Sequence, residues 1–176
     1  MDDAGINKNM VYIISGPPAA GKSTVSQKLA ETLALSALIH GDSIHHMIIG
    51  GHLAPWVDEN QQDLKWVNTK SLTTNFIRRG FDVVIDDVAF PNRVDQLGKD
   101  MHSESIRIKY VILLAHETTL LQRDKERLCH MDERCLILLK EFQQHSSMSK
   151  HFLHTDSKTV EQLVASILQD SNFLYD

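Results

Sequence analysis

The amino-acid sequence predicts an α/β fold in which helices cover both faces of a parallel β-sheet. Short apolar segments typical of buried strands alternate with longer segments of helical periodicity along the 176 residues. A glycine-rich loop, residues 16–23, follows the first strand, and aspartates follow the second and third strands. Because the carboxyl ends of parallel strands meet at one edge of a sheet, these features predict a single site at that edge.

Five short segments are predicted to form the strands. The first reads MVYIIS, an apolar run suited to a strand buried on both faces, and the fourth, IRIKYVILLA, is the strongest. In chain order, the predicted strands are residues 10–15, 37–42, 81–86, 106–115 and 151–155. Five parallel strands joined through helices predict a three-layer architecture.

The segments between the strands have helical patterns. Val25, Leu29 and Leu33 recur at helical spacing after the glycine-rich loop. Asp58 is predicted to be the N-cap of a long helix over residues 58–80. Further helices are predicted over residues 117–130, 132–145 and 158–170.

Composition and charge narrow the class of protein and its partners. The chain has 42% hydrophobic and 23% charged residues, which indicates one globular domain over residues 1–176. The net charge of −5 disfavours nucleic acid, because an acidic surface repels phosphate backbones. No segment approaches the roughly 20 apolar residues of a membrane helix, and residues 1–10 lack the apolar core of a signal peptide. We therefore predict a cytoplasmic monomer or homodimer that does not bind membranes.

Cys129 and Cys135 are predicted to be reduced thiols. They lie six residues apart and form no CxxC pair, which is typical of incidental cysteines in a reducing compartment. The alternative is zinc binding through these two residues and His130, although that spacing fits no common ligand pattern.

The glycine-rich loop matches the phosphate-binding pattern GxxxxGK[ST] at every fixed position. Its glycines let backbone N–H groups point at phosphate oxygens, and the helix beginning near Lys22 adds its positive dipole end. Lys22 is predicted to reach the β and γ phosphates of ATP, and the Ser23 hydroxyl to bind magnesium. The predicted nucleotide-binding residues are Gly16, Pro17, Pro18, Ala19, Ala20, Gly21, Lys22, Ser23 and Thr24.

Aspartates follow two of the predicted strands. Asp42 ends the second strand, where it is predicted to act as a general base toward an acceptor hydroxyl; the alternative is an N-cap for a helix beginning at Ser43. Asp86 ends the third strand and is predicted to face the magnesium ion. Side-chain alternation directs Asp87 to the other face and makes it the reserve candidate. The alternative is that both residues cap the loop leading to residues 90–92.

Two arginines in the segment LLQRDKERL, Arg123 and Arg127, are four residues apart and are predicted to share one helix face. Cations on a mobile lid can stabilise the charge that spreads over a transferring phosphoryl group. Arg134 is a weaker candidate for the same role. The alternative is a solvated helix face on which Asp124 and Glu126 pair with the two arginines.

The segments GPPAAGKS, HGD, VVID and LLQRDKER together resemble the small P-loop kinases. The resemblance covers about residues 10–170 and is closest to the group that holds gluconate kinase, chloramphenicol phosphotransferase, the zeta-toxin kinases and the polynucleotide 5′-kinase domain. It implies the P-loop NTPase fold with sheet order 2-3-1-4-5 and a helical lid at about residues 117–145. It also implies ATP and magnesium as cofactors, with Lys22, Asp42 and the lid arginines as catalytic residues.

The acceptor is expected to bind at about residues 42–70. GDSIH followed by GxLxPW resembles the acceptor-side segment of gluconate kinase, which implies a substrate contact for His45. Trp56 and Arg93 are further substrate candidates, whereas Trp66 is predicted to be a core residue. The segment has several histidines and tryptophans but few formal charges, which favours a neutral or weakly polar hydroxyl compound.

These observations predict an ATP- and magnesium-dependent phosphotransferase that moves the γ-phosphate to a hydroxyl of a small molecule. One alternative is an ATP-binding regulatory module with little or no turnover, which would need neither a general base nor lid arginines. Another is a polynucleotide 5′-hydroxyl kinase, which would need a basic groove.

Overall fold

The computed structural model describes residues 9–104, 106–127 and 130–175. In these ranges, the strands are β1 (Met10–Ser15), β2 (Ser36–His40), β3 (Asp82–Asp86), β4 (Arg107–Leu114), β5 (Phe152–His154) and β6 (Leu174–Tyr175). The α-helices are α1 (Lys22–Thr32), α2 (Gly41–His45), α3 (Glu59–Ile77), α4 (Pro91–Asp100), α5 (Glu117–Lys125), α6 (Glu133–Gln144) and α7 (Val160–Gln169). No helix in the described part of the chain is long and apolar enough to cross a membrane.

The sheet has the strand order β2-β3-β1-β4-β5, and each pairing along this path is parallel. This order confirms the predicted P-loop NTPase fold. In the register of the sheet, Asp86 lies opposite both Ile14 and His40, so β1, β2 and β3 end side by side. The short strand β6 pairs antiparallel with β4 and was not predicted, because two residues carry no readable periodicity.

The centre of the core is formed by β1, β3 and β4. Side chains from these strands are completely buried, among them Val11, Ile13, Val84, Tyr110 and Ile112. Parallel strands covered on both faces carry continuous hydrophobic runs, so the sequence located them well. The core therefore supports the strand ends from which the functional loops begin.

Two helix starts show where local sequence signals succeeded and failed. The Asp58 carboxylate accepts a hydrogen bond from the N–H of Asn60 at 2.8 Å, which confirms it as the N-cap of α3. In contrast, α4 begins directly at Pro91, in a segment for which the sequence predicts no helix. Proline suits the first helical turn because an N–H group at that position would have no acceptor within the helix. Val94 and Leu97 are buried on the inner face of α4.

The end of β2 differs from the prediction. The strand ends at His40, two residues early, and α2 begins at Gly41. A Cβ at Gly41 would collide with the carboxylate of Asp87, so glycine allows the chain to pass close to the end of β3 as it turns. Asp42 consequently lies in the first turn of α2 rather than on the strand.

Candidate active site

The glycine-rich loop joins β1 to α1 and depends on glycine at two positions. Gly16 has a φ of 132°, and a Cβ there would collide with the carbonyl oxygen of Leu113. Gly21 has a φ of 95° and is the N-cap of α1, whose first N–H groups receive no side-chain cap. Lys22 Nζ donates across the loop to the carbonyl oxygen of Pro17 at 3.1 Å. Free helix N–H groups beside an ammonium group form an anion-binding site.

Charged groups from α2, from the end of β3 and from the turn after α5 lie near Lys22. Desolvation lowers the pKa of its ammonium group, whereas the charges of Asp86, Asp42 and Asp87 raise it. The guanidinium of Arg127 lowers the pKa of Lys22 as well. The aspartates near the ends of β2 and β3 and the guanidinium of Arg127 are therefore close enough to act on the lysine of the phosphate loop.

The loop forms part of the wall of a cavity of about 400 Å³, which we call the acceptor cavity. Lys22 and Ser23 line it from the loop, and Asp42, Asp86 and Arg127 line it from the other elements. Its volume is in the range of sites that bind small molecules. The fold thus brings together most of the chemically suggestive residues of the sequence.

A second cavity, of about 220 Å³, lies on another side of the same loop, and we call it the nucleoside cavity. Its lining includes Gly21 and Thr24 of the loop and first helix, and Thr155 and Lys158 beyond β5. Arg123 also lines this cavity, and its Nη1 donates to Thr155 Oγ1 at 3.1 Å. Arg123 is therefore separated from the acceptor cavity.

Arg123 and Arg127 do not share a helix face, so the sequence prediction was wrong. Helix α5 ends at Lys125, and Arg127 lies in the turn that follows. Arg127 Nη1 is 3.4 Å from Asp124 Oδ1, so one pairing of the solvated-face alternative exists, yet Arg127 also lines the acceptor cavity. The two arginines line different cavities because α5 ends between them.

The early end of α5 is explained by Asp124, a residue whose role the sequence did not reveal. Its Oδ2 accepts hydrogen bonds from the N–H groups of Met131 at 2.8 Å and Asp132 at 2.9 Å. Burial alone would raise the pKa of Asp124, but these N–H groups hold it below its ordinary value. The buried carboxylate of Asp124 thus binds the backbone seven and eight residues further along the chain. These hydrogen bonds favour an end of the helix at Lys125, before Arg127.

Asp42 lines the acceptor cavity with an exposed side chain. The N-cap of α2 is His40, and no side chain caps this helix. The capping alternative for Asp42 is therefore wrong, since the helix begins one residue before it. An exposed carboxylate beside Lys22 is available to a hydroxyl group in the cavity.

Asp86 and Asp87 both line the acceptor cavity, contrary to the prediction that they point to opposite faces. The strand ends at Asp86, so alternation does not extend to Asp87. Asp86 Oδ2 accepts a hydrogen bond from His40 Nδ1 at 2.9 Å. Asp87 is bound to Lys65, whose Nζ lies 2.8 Å from Oδ1 and 2.7 Å from Oδ2. Burial raises the pKa of Asp87, Lys65 counteracts this, and Asp42 adds to it.

Lys65 was missed by the sequence analysis. It lies on a face of α3 with Thr69 and Thr73, and all three are buried. A lysine within a helix normally indicates a solvated face, so the spacing of these polar residues suggested no buried partner. Only the tertiary structure shows that Asp87 lies opposite Lys65.

The substrate candidates have three different outcomes. His45 is 1% exposed, its Nε2 donates to the Leu53 carbonyl oxygen at 2.9 Å, and it is not among the residues that line the acceptor cavity. Trp56 lines the cavity, with the Arg134 guanidinium carbon 4.8 Å from its ring centroid. Arg93 lines it too, while its Nη1 lies 2.6 Å from Asp63 Oδ1. A substrate contact for His45 was implied by a local resemblance, and the structure places no His45 atom in the wall of this cavity.

The wall of the acceptor cavity carries more formal charges than the acceptor-side segment alone supplies. Arg93 from α4, Arg127 from the turn after α5 and Arg134 from α6 all line the acceptor cavity, together with Lys65. Of the charged residues described in that wall, the acceptor-side segment supplies Asp42 and Lys65. The arginines come from distant parts of the chain, so the local pattern did not reveal them. Trp66 is buried as predicted, and it also lines the cavity.

The zinc alternative has no support in the described residues. Cys129 lies outside them, and Cys135 is a buried free cysteine. Burial, with Asp124 nearby, raises the pKa of the Cys135 thiol to about 11. Within residues 9–104, 106–127 and 130–175, no group of three or more histidine, cysteine, aspartate or glutamate side chains could hold a metal ion.

A phosphate loop followed by an uncapped helix, on a sheet of this order, defines a protein of the P-loop nucleotide-binding class. The family described as AAA domain matches residues 11–147. Since this match covers more than half of the chain, the protein belongs to that family.

Comparison with individual proteins agrees with this class. A segment of 59 residues is 41% identical to adenylate kinase of Chlamydia felis (strain Fe/C-56). This segment covers 31% of this chain and 28% of that protein. The match thus spans under a third of the curated relative. The structure of the Deinococcus radiodurans tunicamycin resistance protein matches with a TM-score of 0.69 at 14% identity, over 96% of this chain and 99% of that one. A gluconokinase from Sinorhizobium meliloti 1021 matches with a TM-score of 0.62 at 18% identity, over 92% and 89%. These two structures show the likeness of fold.

Proposed function

We propose that this protein transfers the γ-phosphate of ATP to a hydroxyl group of a small molecule. The observation that carries the proposal is the meeting of Lys22, Asp42 and Arg127 on one cavity of about 400 Å³ beside the phosphate loop. A module that only binds ATP needs neither a carboxylate nor an arginine on that side of the loop. Similarity to proteins named as kinases supports phosphoryl transfer as the reaction.

The two cavities suggest how the substrates divide the site. The phosphates of ATP would lie on the loop, against the N–H groups of α1 and Lys22 Nζ. The nucleoside would extend into the nucleoside cavity, past Thr24 toward Arg123 and Lys158. The acceptor would then enter the acceptor cavity, with its hydroxyl between the γ-phosphate and Asp42.

Each charged group has a separate task in this scheme. Asp42 would orient the acceptor hydroxyl and take its proton. Lys22 and Arg127 would stabilise the charge that spreads over the transferring phosphoryl group. Arg123 would serve nucleotide binding, since its side chain lies at the nucleoside cavity.

The residues present fit a magnesium ion bound beside the phosphates. Ser23 and Asp86 both line the acceptor cavity and offer oxygen ligands, which magnesium prefers. Magnesium is commonly held by one or two carboxylates together with substrate phosphates, so no larger group of protein ligands is needed. The ion would neutralise charge on the phosphates, and His40 would hold Asp86 in position through its 2.9 Å hydrogen bond.

The wider organisation is also part of the proposal. We propose one domain with a lid at about residues 117–145 and an acceptor-side segment at about residues 42–70. Arg127 and Arg134 reach the acceptor cavity from the lid region, and Trp56 and Lys65 from the acceptor-side segment. A cytoplasmic location and a monomeric or homodimeric state stay predictions.

The test is an acceptor screen combined with the substitution Asp42→Asn. ATP consumption would be measured with sugars, sugar acids, aminoglycosides, nucleosides and 5′-hydroxyl oligonucleotides. With the acceptor that is found, Asp42→Asn should lower phosphorylation about 10²- to 10⁴-fold, because it removes the base. Glu31→Gln is the matched control, since Glu31 is exposed near the end of α1 and receives a hydrogen bond from Gln27.

Three results would contradict the proposal. Unaltered phosphorylation in Asp42→Asn would remove Asp42 from the mechanism. Tight ATP binding with no acceptor in the screen would favour the regulatory module. Phosphorylation of oligonucleotides alone would favour the polynucleotide kinase.

A further inference from the structure

Two buried nitrogen donors in the wall of the acceptor cavity have no hydrogen-bond partner among the described residues. They are Arg134 Nε, from the first turn of α6, and Gln62 Nε2, from the first turns of α3. A buried donor without an acceptor is costly, and the cost is greater when the donor is charged. Unpaired donors in a cavity wall therefore point to groups of a bound molecule.

Arg134 differs in its partners from the other cations that line this cavity outside the phosphate loop. Lys65, Arg93 and Arg127 each have a carboxylate within 4 Å, whereas no described residue forms an ion pair with Arg134. Its guanidinium carbon lies 4.8 Å from the centroid of the Trp56 ring. Stacking on an indole holds a guanidinium plane in place and leaves its in-plane donors available.

We propose that the acceptor carries an anionic group in addition to its reacting hydroxyl, and that Arg134 and Gln62 bind this group. The proposal rests on the proposed function, because it names the substrate class of the same site. A carboxylate or a phosphate ester would satisfy both unpaired donors, and the planar guanidinium matches either group. Trp56 would pack against the apolar part of the acceptor.

The charges nearby agree with this assignment. Glu141 lies on the same helix, seven residues after Arg134, and also lines the cavity, but its side chain is exposed and remains hydrated. Lys22 belongs to the phosphate loop, and Arg127 follows the lid helix α5 beside Asp124. Arg134 packs on Trp56, and Gln62 lies in α3 within the acceptor-side segment, so both belong to the acceptor side.

The experiment compares neutral hydroxyl compounds with relatives that carry a carboxylate or a phosphate ester. One series is glucose, gluconate and glucose 6-phosphate, and a second is adenosine, adenosine 5′-carboxylate and AMP. The value of kcat/KM is measured for each, and binding is followed separately by tryptophan fluorescence in the presence of magnesium and a non-hydrolysable ATP analogue. We expect an anionic member of at least one series to exceed its neutral parent about 10- to 100-fold. Within each series, the anionic compound with the higher kcat/KM shows whether the site prefers a carboxylate or a phosphate ester.

The substitution Arg134→Gln should lower this ratio of anionic to neutral compound about 10- to 100-fold. Lys140→Gln is the control, because Lys140 is an exposed cation of the same helix that does not line the cavity. A ratio that survives Arg134→Gln, or falls equally in Lys140→Gln, overturns the proposal. Equal loss with neutral and anionic compounds also overturns it, since Arg134 would then act on the phosphoryl group.

The two readouts distinguish failure of this inference from failure of the proposed function. Phosphorylation of a neutral compound without preference for its anions keeps the kinase and overturns the anionic acceptor. Anion binding that depends on Arg134, without turnover, supports the anionic ligand and counts against the kinase. Absence of anion binding in both series overturns the inference.

Discussion

Lys65 Nζ lies 2.7 Å from Asp87 Oδ2, and the two side chains are only 4% and 2% exposed. This ion pair lies in the wall of the acceptor cavity, where it joins α3 to the loop after β3. Two charges removed from water are tolerated only while they stay paired. The pair therefore links the stability of the fold to the shape of the site.

Lys65→Met should destabilise the protein by about 3–5 kcal/mol, because it leaves the Asp87 carboxylate buried without its partner. The control is Lys70→Met, since Lys70 pairs with Asp100 on the exposed surface and such pairs contribute roughly 0–1 kcal/mol. The free energy of unfolding of both variants is measured by urea denaturation. Equal losses in the free energy of unfolding would show that the buried ion pair contributes no more to stability than the exposed one.

The Lys65→Met variant should become more stable relative to the wild type as the pH falls. Burial raises the pKa of Asp87 in the folded protein, and removal of the ammonium group raises it further. When the pKa of a carboxyl group is higher in the folded than in the unfolded protein, its contribution to stability is fully present at a pH below the unfolded-state pKa. This contribution is lost as the pH rises through the folded-state pKa. Unfolding curves between pH 4 and 7 check the sign, and a difference independent of pH would contradict it.

Asp86→Asn should raise the magnesium concentration needed for ATP binding more than Asp87→Asn does. Asp86 is held by His40, whereas Asp87 is neutralised by Lys65. We expect about a tenfold change for Asp86→Asn, comparable to the loss of one charged contact. Asp87→Asn should act on stability instead. Magnesium titrations of ATP binding, with urea denaturation in parallel, separate the two effects, and the reverse ranking would exchange the roles.

Arg123 and Arg127 should differ in their kinetic effects, since they line different cavities. Arg127→Ala should lower kcat about 10²-fold by removing charge stabilisation in the transition state. Arg123→Ala should chiefly weaken ATP binding, with a smaller change in kcat. Steady-state kinetics with varied ATP, together with direct ATP binding, measure both quantities. A large loss of kcat in both variants would restore the paired lid role that the sequence predicted.

Lys22→Ala should weaken ATP binding at least about tenfold, because it removes a charge-assisted contact to the phosphates. Lys28→Ala, in the same helix α1 but outside both cavities, is the matched control. Calorimetric titration with ATP measures the affinities, and the far-ultraviolet spectrum checks the fold. Wild-type affinity in Lys22→Ala would refute the assignment of the phosphate loop.

Much of the fold was predictable because its signals are local. The buried strands β1, β3 and β4 carry continuous apolar runs, and the Asp58 cap lies beside the helix it begins. The end of β2 was not predictable, since it depends on the approach of Gly41 to Asp87, 46 positions along the chain. The break between Arg123 and Arg127 depends on Asp124 binding the backbone beyond the helix, which no periodicity records.

The sequence by itself determined the class of protein, because the phosphate loop and the strands around it are defined by contiguous residues whose backbone needs are local. It also supplied the candidates Lys22, Asp42 and Asp86, which meet at one sheet edge in any fold of this type. Only the tertiary structure decided which residues form the acceptor cavity. Beyond Lys22 and the aspartates, the charges of its wall come from α3, α4, α6 and the turn after α5, and contacts between elements far apart in the chain determine their partners. Packing also paired His45 with the Leu53 carbonyl oxygen and left Arg134 without a carboxylate, because contacts between elements rather than local pattern determine which polar groups find partners.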